Sequence, residues 1–281
     1  MTYSAWTWSP DDTGPTHRIE NRDCLAGLRE LADGSVDVVV TSPPYNIGTN
    51  YGTYRDRHPM LQYLEWCSEW GAELDRVLHP QGSFFLNIGG KPTDPHIPFA
   101  VLNVMTGPFH LQNVLHWIKA YSPGPGQPVK GHTKPINSGR YLADNHEYVF
   151  HFSKEGKTPL HREAPGVGVP FADKSNLQRG NRGKRGDVRD AGNVWVLPYD
   201  TIQRRDRDRP HPASFPRALP ERCIRLHGVG ENPQDLVVLD PFLGIGTTGE
   251  VAARLGCSFI GFELDPQYYA YAVERIQRLG L

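Results

Sequence analysis

The stretch that most restricts the fold comes late in the chain. Leu236-Val237-Val238-Leu239 is a continuous apolar run that reads as a buried strand. It leads straight into Asp240-Pro241-Phe242-Leu243-Gly244-Ile245-Gly246-Thr247-Thr248-Gly249, and a helix to Leu255 follows. Gly-x-Gly-x-x-Gly between a strand and a helix is a nucleotide-type turn, whose glycines allow a tight bend and close approach of a ligand. The next strand, 258–262, ends at Glu263, an acid placed to accept bonds from two ribose hydroxyls. A fold of this kind normally starts with its glycine loop. Here only that strand and a helix over 266–279 lie beyond the loop, too little to complete a sheet. The other strands must come from the N-terminal half. The order is therefore expected to be rotated, with the strand that ends at Thr41 beside the strand that ends at Asp240.

The second constraint is Thr41-Ser42-Pro43-Pro44-Tyr45-Asn46, which arrives directly off Val36-Asp37-Val38-Val39-Val40. The valine run reads as a buried, parallel strand. Pro44 cannot extend a ladder and forces Pro43 into an extended geometry, so the strand stops there. Ligands of open α/β sheets collect at the carboxyl ends of strands, where this hexapeptide falls. Two successive residues without an N–H make the turn rich in acceptors and poor in donors. The Ser42 hydroxyl and the Tyr45 ring complete a pocket suited to a flat molecule bearing an NH2 group. Ser42, Pro43, Pro44 and Tyr45 are the candidate catalytic residues.

What the glycine loop holds depends on whether the ligand carries a pyrophosphate. Asp240 would repel phosphate but pair with an ammonium group, while Thr247, Thr248 and the amides of a helix N-terminus can take a carboxylate. An ammonium, a carboxylate and a ribose together describe S-adenosylmethionine better than NAD. An NAD-dependent oxidoreductase stays open as the alternative on this loop alone, although it leaves the Ser42 segment unexplained. No Gly-x-x-x-x-Gly-Lys-Ser/Thr is present, which excludes a P-loop.

The rest of the chain reads as α/β, a doubly wound and mostly parallel sheet. A short strand at 17–20 precedes a helix with Leu25, Leu28 and Leu31 on one face, and residues 47–59 read as a mobile loop. Leu61, Leu64, Cys67, Leu74, Val77 and Leu78 recur at helical spacing, and His79-Pro80-Gln81-Gly82 ends that helix. Strands over 83–88, 111–119 and 147–152, a helix over 97–105, an irregular segment at 121–140 and a helix over 216–226 complete the pattern. Trp66 and Trp70 read as packing. From 154 to 210 there is little periodicity, many Gly and Arg, and one apolar knot at Val194-Trp195-Val196-Leu197, where Trp195 serves as an anchor. This reads as an inserted lobe between a catalytic half, 1–153, and a cofactor-binding half, 211–281.

Net charge over 281 residues is −1, but its distribution is uneven. Between Lys174 and Arg209 ten Lys/Arg face five Asp, a basic island on an acidic body, as a polyanion-facing lobe would show. The four cysteines, Cys24, Cys67, Cys223 and Cys257, lie far apart without a C-x-x-C pair, which favours reduced intracellular thiols over a disulfide frame or a metal site. No run is long and apolar enough for a membrane helix, and the first residues lack the pattern of a signal peptide. A cytoplasmic protein is expected.

The order of these parts resembles the β group of amino-methylating DNA methyltransferases, over about residues 17–279. Ser42-Pro43-Pro44-Tyr45 is similar to that family's catalytic motif, and Asp240-Pro241-Phe242 with Gly244, Gly246, Thr247 and Thr248 to its cofactor motif. His211-Pro212-Ala213-Ser214-Phe215-Pro216 resembles the segment that precedes the cofactor motif and lines the cofactor. Arg22-Asp23-Cys24 resembles the adenine-side motif, and Asn145-His146-Glu147-Tyr148 a motif near the target-base pocket. The resemblance implies S-adenosyl-L-methionine held by Asp240, Phe242, Gly244, Gly246, Thr247, Thr248, Glu263, Asp23, Cys24, His211, Ser214 and Phe215, with no metal. It implies double-stranded DNA as partner and makes 154–210 the target recognition lobe, with Arg179, Arg182, Lys184, Arg185, Arg189, Arg204 and Arg205 on the DNA. A homodimer, a cognate restriction endonuclease and a place at a bacterial or archaeal nucleoid accompany it. The implied reaction is methylation of the N4 amine of a flipped cytosine, with adenine N6 as the alternative, because Ser heads the tetrapeptide more often in N4 enzymes and Asp in N6 enzymes. Methylation at carbon 5 needs a cysteine nucleophile, and no cysteine follows a proline or sits near residue 42.

Overall fold

The computed structural model describes residues 3–11, 13–131, 133, 136–164, 166–170, 188–197 and 214–280. Among the described residues the strands are β1 (Ala5–Trp8), β2 (His17–Asn21), β3 (Val36–Thr41), β4 (Leu78–Ile88), β5 (His110–Ile118), β6 (Ala120–Tyr121), β7 (Lys130–Gly131), β8 (His146–Ser153), β9 (Val169–Pro170), β10 (Val188–Arg189), β11 (Val194–Val196), β12 (Val237–Asp240) and β13 (Ser258–Glu263). The helices are α1 (Cys24–Leu28), α2 (Met60–Val77), α3 (Ile97–Met105), α4 (Ala218–His227), α5 (Thr247–Arg254) and α6 (Pro266–Gln277). Nine strands make one sheet in the order β1-β2-β13-β12-β3-β4-β8-β5-β11, and the remaining four form two short ribbons. The run from β2 to β4 is parallel throughout, β8 is antiparallel to both its neighbours, and β1 closes one edge antiparallel.

Alternation along β3 builds a two-sided core. Val38 and Val40 point to one face, where they meet Cys223 and Ile224 of α4, Val251 and Ala252 of α5, and Ala272 and Ile276 of α6. Val39 points to the other, in a cluster with Leu28 of α1, Trp70 and Leu74 of α2, and Val101 and Met105 of α3, which Val36 joins at the start of the strand. Helices on both faces make the doubly wound α/β class expected from the sequence. The rotated order is also present: Val238 pairs with Val38 and Leu239 with Val39, in parallel.

Three details differ from the sequence reading. His79-Pro80-Gln81-Gly82 is not a turn that ends α2, because Leu78 already has extended geometry and β4 begins there. Pro80 is accommodated where the β3–β4 register slips between the Val36 and Val38 pairings, an irregularity at which a missing N–H costs no ladder bond. Val194–Val196 is a strand of the main sheet, parallel to β5, with Trp195 buried and the Leu197 carbonyl accepting from Trp117 Nε1 at 2.8 Å. β1, with two exposed and two half-buried residues, has too little apolar alternation to stand out in the sequence.

A polar chain crosses the core beside β4. Asn113 Nδ2 can only donate to His151 Nδ1, at 3.0 Å, so His151 carries its proton on Nε2 and donates to Ser83 Oγ at 3.1 Å. Ser83 Oγ then donates to His227 Nδ1 at 3.0 Å. Burial lowers His151 to about 3, and both His227 and His17 to about 4, against an ordinary 6.5. The folded protein therefore binds fewer protons here than the unfolded chain, so this part of its stability is complete above pH 6.5 and lost as pH falls. Replacing both His151 and His227 by Gln should flatten the acid-side loss between about pH 6.5 and 4.5 by on the order of 2 kcal/mol per histidine, compared with the parent protein. Thermal unfolding across that range checks it, and identical pH profiles for parent and variant would contradict it.

Candidate active site

The β3–β12 pairing brings the carboxyl ends of two distant segments to one place. Asp240, the last residue of β12, is buried, and its carboxylate ties them together. Thr41 Oγ1 donates to Oδ1 at 2.6 Å, the Phe242 N–H to the same oxygen at 3.1 Å, and Thr248 Oγ1 to Oδ2 at 2.7 Å. One lone pair on Oδ2 is left over. Burial raises Asp240 to about 6 against the opposing pull of those donors. A cavity of about 810 Å³ opens beside this junction. Ser42, Pro44 and Tyr45 border it, and so do Asp240, Phe242, Gly244, Thr247 and Glu263, together with Asp23, Cys24, Ser214 and Phe215.

The glycine turn is built differently from a pyrophosphate cradle. Four of its amides are already used: Phe242 on Asp240, Leu243 on the Phe262 carbonyl, Gly244 on Glu263 Oε2 at 2.7 Å, and Gly246 on the Leu243 carbonyl. Glu263 also accepts the Asp265 N–H at 2.8 Å through Oε1, which leaves one lone pair on each of its oxygens. Burial raises Glu263 to about 7. With four of its amides spent and two buried acids beside it, the turn disfavours a phosphate pair and suits hydroxyls and an ammonium group. Gly246 and Thr248 do not border the cavity. A Cβ on Gly246 would sit 2.9 Å from Ala272 Cβ, and one on Gly249 would sit 2.7 Å from the Phe259 ring, so these two glycines let α5 pack on α6 and β13. Thr247 Oγ1 accepts from Arg275 at 3.1 Å.

The flanking residues have double duties. Asp23 caps α1 by accepting from Leu25 N at 3.0 Å and Ala26 N at 3.2 Å while also bordering the cavity. Cys24 borders it too, but burial first, then the Asp23 charge, push its thiol well up, so it is no thiolate nucleophile. Phe242 packs edge-on against Trp66 and Trp70, with ring centroids 5.4 and 5.5 Å away. Trp70 is pure core, whereas Trp66 also reaches the cavity wall.

At the other end, the Ser42 hydroxyl meets the Tyr45 hydroxyl at 2.8 Å, and Tyr45 donates to Glu147 Oε2 at 3.0 Å. Asn87 Nδ2 donates to the same oxygen at 3.1 Å and Lys119 Nζ to Oε1 at 2.9 Å. Burial first, then the Glu147 charge, hold the Tyr45 phenol well above its usual range. Tyr63 donates to the Pro44 carbonyl at 2.8 Å, occupying one of its lone pairs, and Pro43 is buried. Asn87 and Lys119 escaped the sequence reading because they come from β4 and the end of β5. Glu147 was marked only through the 145–148 segment.

Asp56 also went unnoticed. Its buried carboxylate accepts from the backbone N–H groups of Asn46 at 2.6 Å, Ile47 at 3.2 Å, Gly48 at 3.1 Å and Thr49 at 2.8 Å. Asn46, at φ 62°, closes the bend by bonding the His58 backbone on both sides. The segment 47–59, expected to be a mobile loop, is thus wound around one acid. An Asp amid Gly, Asn and Tyr was the available signal.

Arg179, Arg182, Lys184, Arg185, Arg204, Arg205 and His211 lie outside the described residues. Arg189 is exposed in β10. Among the described residues no group of His, Cys, Asp and Glu could hold a metal, and no helix is long and apolar enough to cross a membrane.

The rotated α/β sheet thus sets an acid-lined end and a hydroxyl-lined end on one cavity. The chain belongs to the DNA methylase family of N6- and N4-acting enzymes, whose model matches residues 36–274. It is a DNA methyltransferase of the N4/N6 type, which removes the NAD-dependent alternative. The type II methyltransferase M.BglII of Bacillus subtilis is 30% identical over 267 residues, 92% of this chain and 68% of that protein. The DNA adenine methyltransferase YhdJ of Escherichia coli K12 is 28% identical over 265 residues, 92% of this chain and 82% of that one. The PvuII DNA methyltransferase (cytosine-N4-specific) shares the fold, with a TM-score of 0.66 at 24% identity, covering 94% of this chain and 87% of that one. A candidate DNA modification methylase of Thermus thermophilus, complexed with S-adenosyl-L-methionine, matches with a TM-score of 0.56 at 26% identity, covering 93% of each chain.

Asp56→Ala should lower the stability to urea by about 1–3 kcal/mol, because its backbone donors lose their acceptor, and Asp56→Asn should lose less. Equilibrium unfolding measures both, and a parent-like midpoint for Asp56→Ala would contradict the assignment.

Proposed function

We propose that this chain transfers a methyl group from S-adenosyl-L-methionine to the exocyclic N4 amine of a cytosine flipped out of double-stranded DNA. The observation that supports this is the shared cavity, bordered by Ser42 and Tyr45 and also by Asp240 and Glu263. The cofactor supplies a methyl group on a sulfonium, already a good leaving group, so alignment carries most of the remaining work. Glu263 offers its two spare lone pairs to the ribose hydroxyls, and Asp240 its one to the ammonium group. Thr247 and the start of α5 face the carboxylate. Asp23 and Cys24 serve the adenine side, with Ser214, Phe215 and Phe242 as walls. Gly244 turns the loop onto Glu263, while Gly246 and Thr248 support it from behind.

The target amine is a poor nucleophile because its lone pair is delocalised into the base. Ser42 Oγ and the Pro43 carbonyl accept its two N–H bonds and bias the nitrogen toward a tetrahedral geometry, with the Tyr45 ring stacked on the base. The serine at the head of the tetrapeptide supports cytosine N4. The resemblance to YhdJ, an adenine methyltransferase, favours the second reading, adenine N6.

The division into 1–153, 154–210 and 211–281 remains part of the proposal, with the middle segment reading the DNA site and also lending β11 to the main sheet. Its Arg and Lys side chains contact phosphates more than bases. A homodimer, a cognate restriction endonuclease and a cytoplasmic, nucleoid-associated location complete the reading.

Chromatography of nucleosides from DNA methylated by the pure protein should yield N4-methylcytosine, and N6-methyladenine as the sole product would overturn the cytosine assignment. Ser42→Ala should slow methyl transfer on the order of a hundredfold with cofactor affinity retained. Cofactor binding should depend on pH through Glu263, which is raised to about 7 and must be ionised to accept two hydroxyls. Calorimetry should show affinity falling as pH drops below that value, by at most about tenfold per unit, and Glu263→Gln should bind weakly with a flatter profile. A pH-independent parent affinity would contradict that role.

A further inference from the structure

The proton positions around Ser42 follow from counting donors. Glu147 is a pure acceptor, with Lys119 on Oε1 and both Asn87 and Tyr45 on Oε2. Tyr45 has a single proton and two acceptors in reach, Glu147 at 3.0 Å and Asn87 Oδ1 at 3.3 Å. The carboxylate is nearer and takes the charge-assisted bond. With its proton so committed, the Tyr45 oxygen can only accept from Ser42 across their 2.8 Å contact. Ser42 Oγ then has no proton to offer the cavity and presents lone pairs alone. The direction of every bond in the chain is set by Glu147, at the far end from Ser42.

We infer that Glu147 is a positioning residue that turns Ser42 into an obligate acceptor and receives, through Tyr45, the proton the amine gives up. This rests on Ser42 being the amine acceptor, as argued above. As the N–CH3 bond forms and the S–CH3 bond breaks, one amine proton passes to Ser42 Oγ. The Ser42 proton moves to the Tyr45 oxygen, and the Tyr45 proton moves to Glu147 Oε2. The products are the neutral methylated base, the demethylated cofactor and a protonated Glu147, which returns its proton to solvent between turnovers. Tyr45 is never a free phenolate in this transfer, as its raised pKa requires. Asn87 and Lys119 hold the Glu147 carboxylate in the orientation the transfer needs.

Single-turnover methyl transfer by the full chain on duplex DNA tests this, together with separate measurements of cofactor and DNA affinity. Glu147→Gln and Tyr45→Phe, which keeps the stacking ring, should each slow transfer on the order of a hundredfold with both affinities within about twofold. The double variant should be no slower than either single one, because both cut the same chain. In the ligand-free protein the 13Cζ resonance of Tyr45, identified by its loss in Tyr45→Phe, should shift in Glu147→Gln as its acceptor changes. A parent-like rate for Glu147→Gln, losses that multiply in the double variant, a loss explained by weaker DNA binding, or an unmoved Tyr45 resonance would each overturn the proposal. Undiminished transfer by Ser42→Ala would instead remove the catalytic assignment beneath it.

Discussion

A single buried carboxylate carries the architecture of this site. Thr41 and Asp240 are 199 residues apart in the chain, yet their side chains meet at 2.6 Å. Thr248 reaches the other Asp240 oxygen, so the ends of β3 and β12 and the start of α5 converge on one side chain. An acid this deeply buried is tolerated because donors satisfy most of its lone pairs, and stripping one away would leave a desolvated charge short of a partner. In a rotated chain no covalent link joins the hydroxyl-bearing turn to the glycine turn. The strand pairing places them side by side, and Asp240 holds the two turns in register.

The two ends of the cavity are prepared for different tasks by the same rule. At the glycine end, burial raises Asp240 and Glu263 to about 6 and about 7 against the pull of their hydrogen-bond donors. Such a site gains most from a ligand that brings its own cation and hydroxyl donors. At the Ser42 end, the acid is Glu147, and Lys119 pairs with it at 2.9 Å. There the charge is spent on orienting hydroxyl protons. A cationic donor and a neutral, hydrogen-bonding acceptor are what the two environments sort.

How far the sequence could be read follows from the range of each signal. β3, β12 and β13 were legible because continuous β-branched or apolar runs ending at turn residues are local patterns, and the glycine turn fixed which strands had to be neighbours. β1 was hidden because it has little apolar alternation, β11 because it is three residues inside an aperiodic stretch, and the α2–β4 junction because Pro80 imitates a helix stop. Within the site, the residues on the two turns were legible from their own neighbours. Glu147, Asn87 and Lys119 depend on β8, β4 and β5 lying side by side, which no local pattern encodes. Even the legible Gly246 was assigned to ligand approach when its missing Cβ chiefly makes room for Ala272. Asp240 was expected to face a ligand, and most of its bonding capacity goes to the protein.

The account depends on one cavity holding both reactants against these two turns. Crystallography of the chain with duplex DNA and a non-reactive, amine-bearing analogue of the methyl donor tests that most directly. The expected result is a flipped base whose exocyclic nitrogen lies about 3 Å from both Ser42 Oγ and the Pro43 carbonyl, with the analogue on Asp240 and Glu263 facing it. A base seated elsewhere, or an analogue turned away from Ser42, would contradict the account.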